Sequence, residues 1–213
     1  QNYVEVYDIS HPLQPMEKPG PLRTNGIYHS QQELGGYFLE ASGFERPQWY
    51  ECNKDLVAKY PSPARDEWSA RYWSPIIGAE AEYVRENVGL FDITALKRIE
   101  VTGKGSMGFL MEQTTGKLDK APGSVTYCLM MTKDAGILSD VTVTRLAETH
   151  FMIGANNAID VARLKSAAPD TVHIKDVTSG TVGLGLFGPH ARKVVEKLTK
   201  VDVSNEAFGY FKA

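Results

Sequence analysis

Residues 127–156, YCLMMTKDAGILSDVTVTRLAETHFMIGAN, restrict the possible folds more than any other stretch of the chain. Two runs rich in β-branched and apolar residues, 124–131 and 137–146, flank Lys133-Asp134-Ala135-Gly136, a sequence suited to a hairpin turn. A third short strand is expected at 151–154. Strands this close in sequence pair antiparallel, because a parallel crossover needs a dozen or more residues. Along the second strand, alternation puts Ile137, Ser139, Val141 and Val143 on one face. Leu138, Asp140, Thr142 and Thr144 share the other. Strand interiors are depleted in Asp, whose short side chain competes for backbone hydrogen bonds. Asp140 therefore lies either on a solvated face, paired to a Lys or Arg, or in the lining of a site for a polar ligand. Periodicity alone favours the solvated face.

The flanking sequence predicts α+β architecture: a mainly antiparallel sheet with helices around it. Helices are expected at 78–87, 105–114, 157–167 and 189–199, the last with Pro189 in its first turn. In the second, Met107, Leu110 and Met111 are expected to form the apolar side. Further strands are expected at 98–102, 172–177 and 181–187. Residues 1–30 carry HPLQPMEKPGPLR, whose four prolines exclude regular structure and suggest an extended arm. An aromatic strand-and-turn unit follows at 31–50, and a charged, aromatic linker at 62–74.

A net charge of -3 gives no electrostatic case for nucleic acid or an anionic membrane. No apolar run has the roughly 18 residues a spanning helix needs, and the polar N-terminus does not read as a signal peptide. Cys52 and Cys128 lie far apart and form no metal motif or disulfide framework. They point to a reducing compartment, cytoplasm or mitochondrial matrix, with Cys128 a packing residue. The five histidines are scattered, without zinc-ligand spacing. No G-x-S-x-G nucleophile elbow is present. Gly183, Gly185 and Gly188 match G-x-G-x-x-G, with Asp202 about twenty residues on. The match is rejected as a dinucleotide site. A polar DVTSGTV precedes it where an apolar strand is required, and Leu184, Leu186 and Phe187 fall inside the supposed turn. These glycines read as strand positions, and Gly188-Pro189 as a turn into a helix.

Three blocks, LFDITALKRIEVTGKGSMGFLMEQTT, GSVTYCLMMTKDAGILSDVTVTRL and LGLFGPHARKVVEKL, resemble successive parts of the folate-binding domain of aminomethyltransferases, the T protein family of glycine cleavage. Upstream, PLRTNGIYHSQQELGGYFLEASGFERPQWYECN resembles the segment before that domain in dimethylglycine and sarcosine dehydrogenases. The resemblance implies an incomplete T protein-like fold. Residues 63–213 would be its N-terminal part, and residues 1–62 the end of a central region leading to a missing flavin domain. It further implies tetrahydrofolate as cofactor, FAD in the missing half, and an N-methyl glycine derivative as substrate. The flavin domain would belong to the same chain or to a partner.

In that family pattern Asp140, in GILSD, is the catalytic carboxylate that orients the folate amine and assists proton transfer. It also stabilises a cationic one-carbon unit electrostatically. The resemblance puts Tyr127, Asn156, Thr142 and Leu96 in the folate pocket. The residues alone favour the plainer reading of three of them: Tyr127 and Leu96 as core residues, and Asn156 as a helix N-cap. Ser139 stands where the family usually has a first acid, and the loop at Ala95 lacks a frequent histidine-methionine pair. The later G-E-x-G-x-E block and a distal arginine are also absent. Besides one-carbon transfer from an oxidised N-methyl amine, two readings stand: another folate-dependent aminomethyltransferase or demethylase, and a regulatory relative without the chemistry.

Overall fold

The computed structural model describes residues 7, 9, 20–66 and 72–213. Most of the expected arm, and part of the 62–74 linker, lie outside them. The described chain opens with helix α1 (Tyr28–Glu33) and the hairpin β1 (Gly36–Ala41) and β2 (Phe44–Tyr50). A short α2 (Leu56–Lys59) precedes α3 (Pro75–Glu86). Ser74 caps α3, accepting from the Ile76 amide, and Pro75 occupies a first-turn position where no amide donor is needed. Leu39, Phe44 and Trp49 of the hairpin, with Ile76 and Ala79 of α3, are buried.

The larger unit is a five-stranded antiparallel sheet in the order β5-β6-β7-β4-β8. Its strands are β4 (Lys97–Thr102), β5 (Val125–Met131), β6 (Ile137–Ala147), β7 (His150–Ala155) and β8 (His173–Asp176). The meander is present as expected, turning through Ala135 with φ 62 and a Thr132 amide bond to the Gly136 carbonyl of 2.8 Å. Helices α4 (Ser106–Gln113) and α5 (Ala158–Ala167) cover one face. The core there contains Ile99, Val101, Phe109, Leu110, Val141, Val143, Phe151, Ile153, Val161 and Leu164. Cys128 is buried in the same cluster and unpaired, with burial pushing its thiol pKa up. Among the described residues no helix packs on the opposite face. Its residues, Asp140, Thr142 and Thr144 among them, are exposed or half-buried.

The register corrects two side-chain assignments. Ile137 lies outside the core, 68% exposed, because the ladder shifts between Met130 and Met131 and moves the strand end out of phase. In α4 the buried positions are Ser106, Phe109 and Leu110, spaced i, i+3, i+4. Met107 packs at the margin and Met111 is exposed.

A second, two-stranded sheet pairs β3 (Gly89–Asp92) with β9 (Leu184–Phe187). The expected strand 181–187 begins only at Leu184, because residues 178–180 form a 3-10 turn. The helix expected at 189–199 is reduced to α6 (Ala191–Val195), which buries no residue and so has little packing to extend it. Among the described residues no helix is long and apolar enough to cross a membrane.

Asp92 ties the N-terminal unit to this sheet. Its Oδ2 accepts from Asn25 Nδ2 at 2.5 Å and from Gln31 Nε2 at 2.9 Å, and its Oδ1 accepts from the Thr94 amide at 2.9 Å. Burial pushes the Asp92 carboxyl up, but the bonds from Thr94, Gln31 and Asn25 outweigh it and leave the pKa below the ordinary value. A carboxyl with a depressed folded pKa stabilises the fold above its unfolded pKa and loses that contribution as pH falls through the folded value. The N-terminal unit is therefore expected to loosen as pH drops below about 4, read by the fluorescence of buried Trp49. Asp92→Asn should flatten this step. An equally steep step in that variant would rule out Asp92 as its source.

Candidate active site

Asp140 projects from the centre of β6 on the face without a helix. Two residues, one in a flanking strand and one just past the end of the other, hold its carboxylate. Tyr127, on β5, donates its hydroxyl to Asp140 Oδ2 at 3.3 Å. Asn156, directly after β7, donates Nδ2 to Asp140 Oδ1 at 2.9 Å and to the Asp140 carbonyl at 2.9 Å. Among the described residues Asp140 has no Lys or Arg partner, so the solvated ion pair that periodicity favoured is not what the structure shows.

The alternatives for the neighbouring residues resolve in the same way. Tyr127 is 53% exposed and bonded to the carboxylate, so it is not a core aromatic. Partial burial, then the Asp140 charge and hydrogen bond, push its phenol pKa up, which keeps the proton that it donates. Asn156 is not the helix cap. That position belongs to Asn157, whose side chain accepts from the Ile159 and Asp160 amides in a reciprocal capping box with Asp160.

Thr142 pairs with Tyr127 on one side and with Gly154 on the other, and Arg98 stands opposite Gly154. Tyr127, Thr142, Gly154 and Arg98 therefore form one row across four strands, beside Asp140. A Cβ on Gly154 would come within 2.7 Å of Thr142 Oγ1, so the absence of a side chain keeps this floor flat. Leu96 is 47% exposed and lies outside the core. It precedes Lys97, the residue paired with Ala155, and so stands at the same end of the sheet as Asn156. Arg98 fixes the Leu96 loop by donating to the carbonyls of Thr94, Leu96, Thr178 and Thr181 at 2.9–3.2 Å.

Three contributors were not expected from the sequence: Gly154, Arg98 and Asp160, the last accepting from the Asn156 backbone amide at 3.3 Å. Only Asp160 had a local signal, the Asn157-Ala-Ile-Asp160 capping spacing. A cavity of about 240 Å³ lies elsewhere, between residues 23–26 and 178–182, and none of the Asp140 partners lines it. The Asp140 face is instead an open floor. It combines a hydrogen-bonded carboxylate, a phenol, an amide and small side chains, which suits a polar ligand lying on the sheet.

Fold and site together define an antiparallel-sheet domain with a hydrogen-bonded carboxylate on its open face. The chain belongs to the GCVT N-terminal domain family, whose model matches residues 27–213. It is 27% identical to 4-methylaminobutanoate oxidase (formaldehyde-forming) of Paenarthrobacter nicotinovorans, over 96% of this chain and 25% of that protein. It is 26% identical to the sarcosine oxidase subunit alpha of Rhizobium meliloti, over 91% of this chain and 19% of that one. The crystal structure of the glycine cleavage system aminomethyltransferase T from Bartonella henselae superposes with a TM-score of 0.64 at 26% identity, covering 83% of this chain and 44% of that one. The T protein-like fold expected from the sequence is thus the fold observed. The chain spans less than half the length of the aminomethyltransferases it matches.

Proposed function

We propose that this chain is the folate-binding part of an oxidative N-demethylase of the dimethylglycine or sarcosine type. The parent enzyme would transfer a one-carbon unit to tetrahydrofolate, giving 5,10-methylenetetrahydrofolate. The observation that carries the reading is the Asp140 carboxylate, fixed by Tyr127 and Asn156 on an open sheet face. Residues 63–213 would be the N-terminal part of the folate domain. Residues 1–62 would lead to a flavin domain, on the same polypeptide or a partner, where FAD would be held. The two oxidase relatives, both much longer than this chain, support that arrangement. Two free thiols agree with cytoplasm or mitochondrial matrix.

The residues present fit a reduced folate. Tyr127, Thr142 and Leu96 offer surface for a flat ring, and Gly154 leaves room for it. Asn156 and Asp140 offer hydrogen-bonding groups at one end. Bound tetrahydrofolate supplies the amine nucleophile. Asp140 accepts and holds a proton at its carboxylate, and its negative charge favours a cationic one-carbon group beside it. Tyr127 and Asn156 keep the carboxylate in one orientation, so no reorganisation is needed as charge changes.

The test uses the full-length polypeptide that carries this sequence, given N-methyl glycines with and without tetrahydrofolate. Methylenetetrahydrofolate formed at the expense of free formaldehyde is the expected product. Folate-dependent product without amine oxidation would point to an aminomethyltransferase of another kind. Absence of folate binding would leave the regulatory reading.

Gly154→Ala is expected to weaken tetrahydrofolate binding by about 5–10-fold, roughly 1 kcal/mol, because the Thr142 side chain must turn into the ligand space. Stability should change by less than about 1 kcal/mol, since Ala suits a strand interior better than Gly. Isothermal titration and thermal melts check the two arms. Unchanged affinity would mean the ligand does not lie over Gly154.

A further inference from the structure

Asp160 is fully buried one turn into α5, behind the Asp140 face. Its Oδ2 accepts the Ser139 hydroxyl at 2.9 Å and the Asn156 and Asn157 amides at 3.3 Å each. Its Oδ1 has no hydrogen-bond partner, and Arg163 Nη1 stands 3.6 Å away. That oxygen is the common acceptor of two backbone amides and of the Ser139 hydroxyl, which donates to it. That commits the hydroxyl proton and turns a Ser139 lone pair toward Asn156, whose Nδ2 lies 3.2 Å from Oγ.

The Asn156 amide group is thus surrounded by three oxygens: Ser139 Oγ, the Asp140 carbonyl and Asp140 Oδ1. The opposite amide orientation would set Asn156 Oδ1 against two of the three that can only accept, the Asp140 carbonyl and carboxylate. The orientation is therefore unique. It leaves Asn156 Oδ1 with no protein donor among the described residues.

We infer that Ser139 and Asp160 are positioning residues: they lock the Asn156 amide so that its nitrogen holds Asp140 and its oxygen is offered to an N–H donor on the ligand. The inference rests on the folate reading of the site and adds to it the polarity of the recognised edge, a donor edge of a nitrogen heterocycle. It also gives Ser139 a role. The residue that departs from the usual family acid is the one able to accept from Asn156 while donating to Asp160.

A double-mutant cycle in the full-length polypeptide tests it, with tetrahydrofolate affinity as the readout. Ser139→Ala should weaken binding about 5-fold, and should also lower the melting temperature, because the buried Asp160 carboxylate loses its hydroxyl donor. Asn156→Ala should weaken it about 10-fold. The double variant should be no worse than Asn156→Ala alone, because Ser139 acts only through Asn156. Ser139→Thr, which keeps the hydroxyl, should restore most of the affinity. Additive losses of about 50-fold, or wild-type affinity in Ser139→Ala, would overturn the inference. If the wild type binds no tetrahydrofolate, the folate reading fails. The positioning role is then read from hydrogen exchange of the Asn156 side-chain amide in asparagine-labelled protein. Exchange about 5-fold faster in Ser139→Ala supports it, and an unchanged rate overturns it.

Discussion

Asp140→Asn is expected to lower folate-dependent one-carbon transfer by about 10²–10³-fold while the protein stays folded. The substitution is isosteric. The amide oxygen of the new side chain can still accept from Asn156, and its nitrogen can face the Tyr127 oxygen, which accepts as well as donates. Position and shape therefore survive. What is lost is a negative charge and a place to hold a proton. The loss should appear in the rate of product formation in a single turnover, with a smaller change in folate affinity. Melting temperature should stay close to wild type, because Asp140 is exposed and has no ion pair to lose. A variant within about threefold of wild type in that rate would remove Asp140 from the chemistry and leave it a binding contact.

The second large effect is on stability. Gly188→Ala is expected to cost about 3–4 kcal/mol, read by urea denaturation. Gly188 has φ 110, where an L side chain is strained by about 1–2 kcal/mol. Its Cβ would also stand 2.4 Å from the Asn87 carbonyl oxygen and 2.7 Å from that of Val84. Both belong to backbone at the end of α3, so relief requires separating β9 and α6 from that helix. Gly180→Ala is the control, since a Cβ there meets nothing within 4 Å and should change stability by under about 1 kcal/mol. A similarly small loss at Gly188 would mean that the turn relaxes freely. The comparison also explains the glycine pattern that mimics a nucleotide fingerprint. Gly185 is in a strand and Gly188 is a tight turn against a helix end, with no phosphate cradle required.

What could be read from the sequence was what local periodicity encodes. The β5–β6–β7 meander, the α3 and α5 helices, and the face assignment of Asp140 and Thr142 follow from alternation, turn residues and caps within a few positions. The pairing of β3 with β9 does not, because it joins residues nearly a hundred positions apart and both strands are only four residues long. The exposure of Ile137 depends on a ladder irregularity that no side-chain pattern announces. The α4 face was misread because apolar identity drew attention to Met107 and Met111, whereas geometry buries Phe109. At the site, resemblance brought together Tyr127, Asp140 and Asn156, and the hydrogen bonds join them. Their support from Ser139 and Asp160 was hidden because it crosses from strand to helix through a single buried oxygen.

The strand that carries Asp140 is bordered on both sides, by β5 and by β7. Its amides and carbonyls are consumed in ladders, and its reverse face is sealed by the core. Such a strand opens only in the largest, rarest fluctuations of a domain. The carboxylate is therefore carried by the slowest-breathing part of the molecule rather than by a mobile loop. A ligand on the Asp140 face would not have to wait for this backbone to rearrange, and mild heating should leave that face in register until the whole sheet gives way.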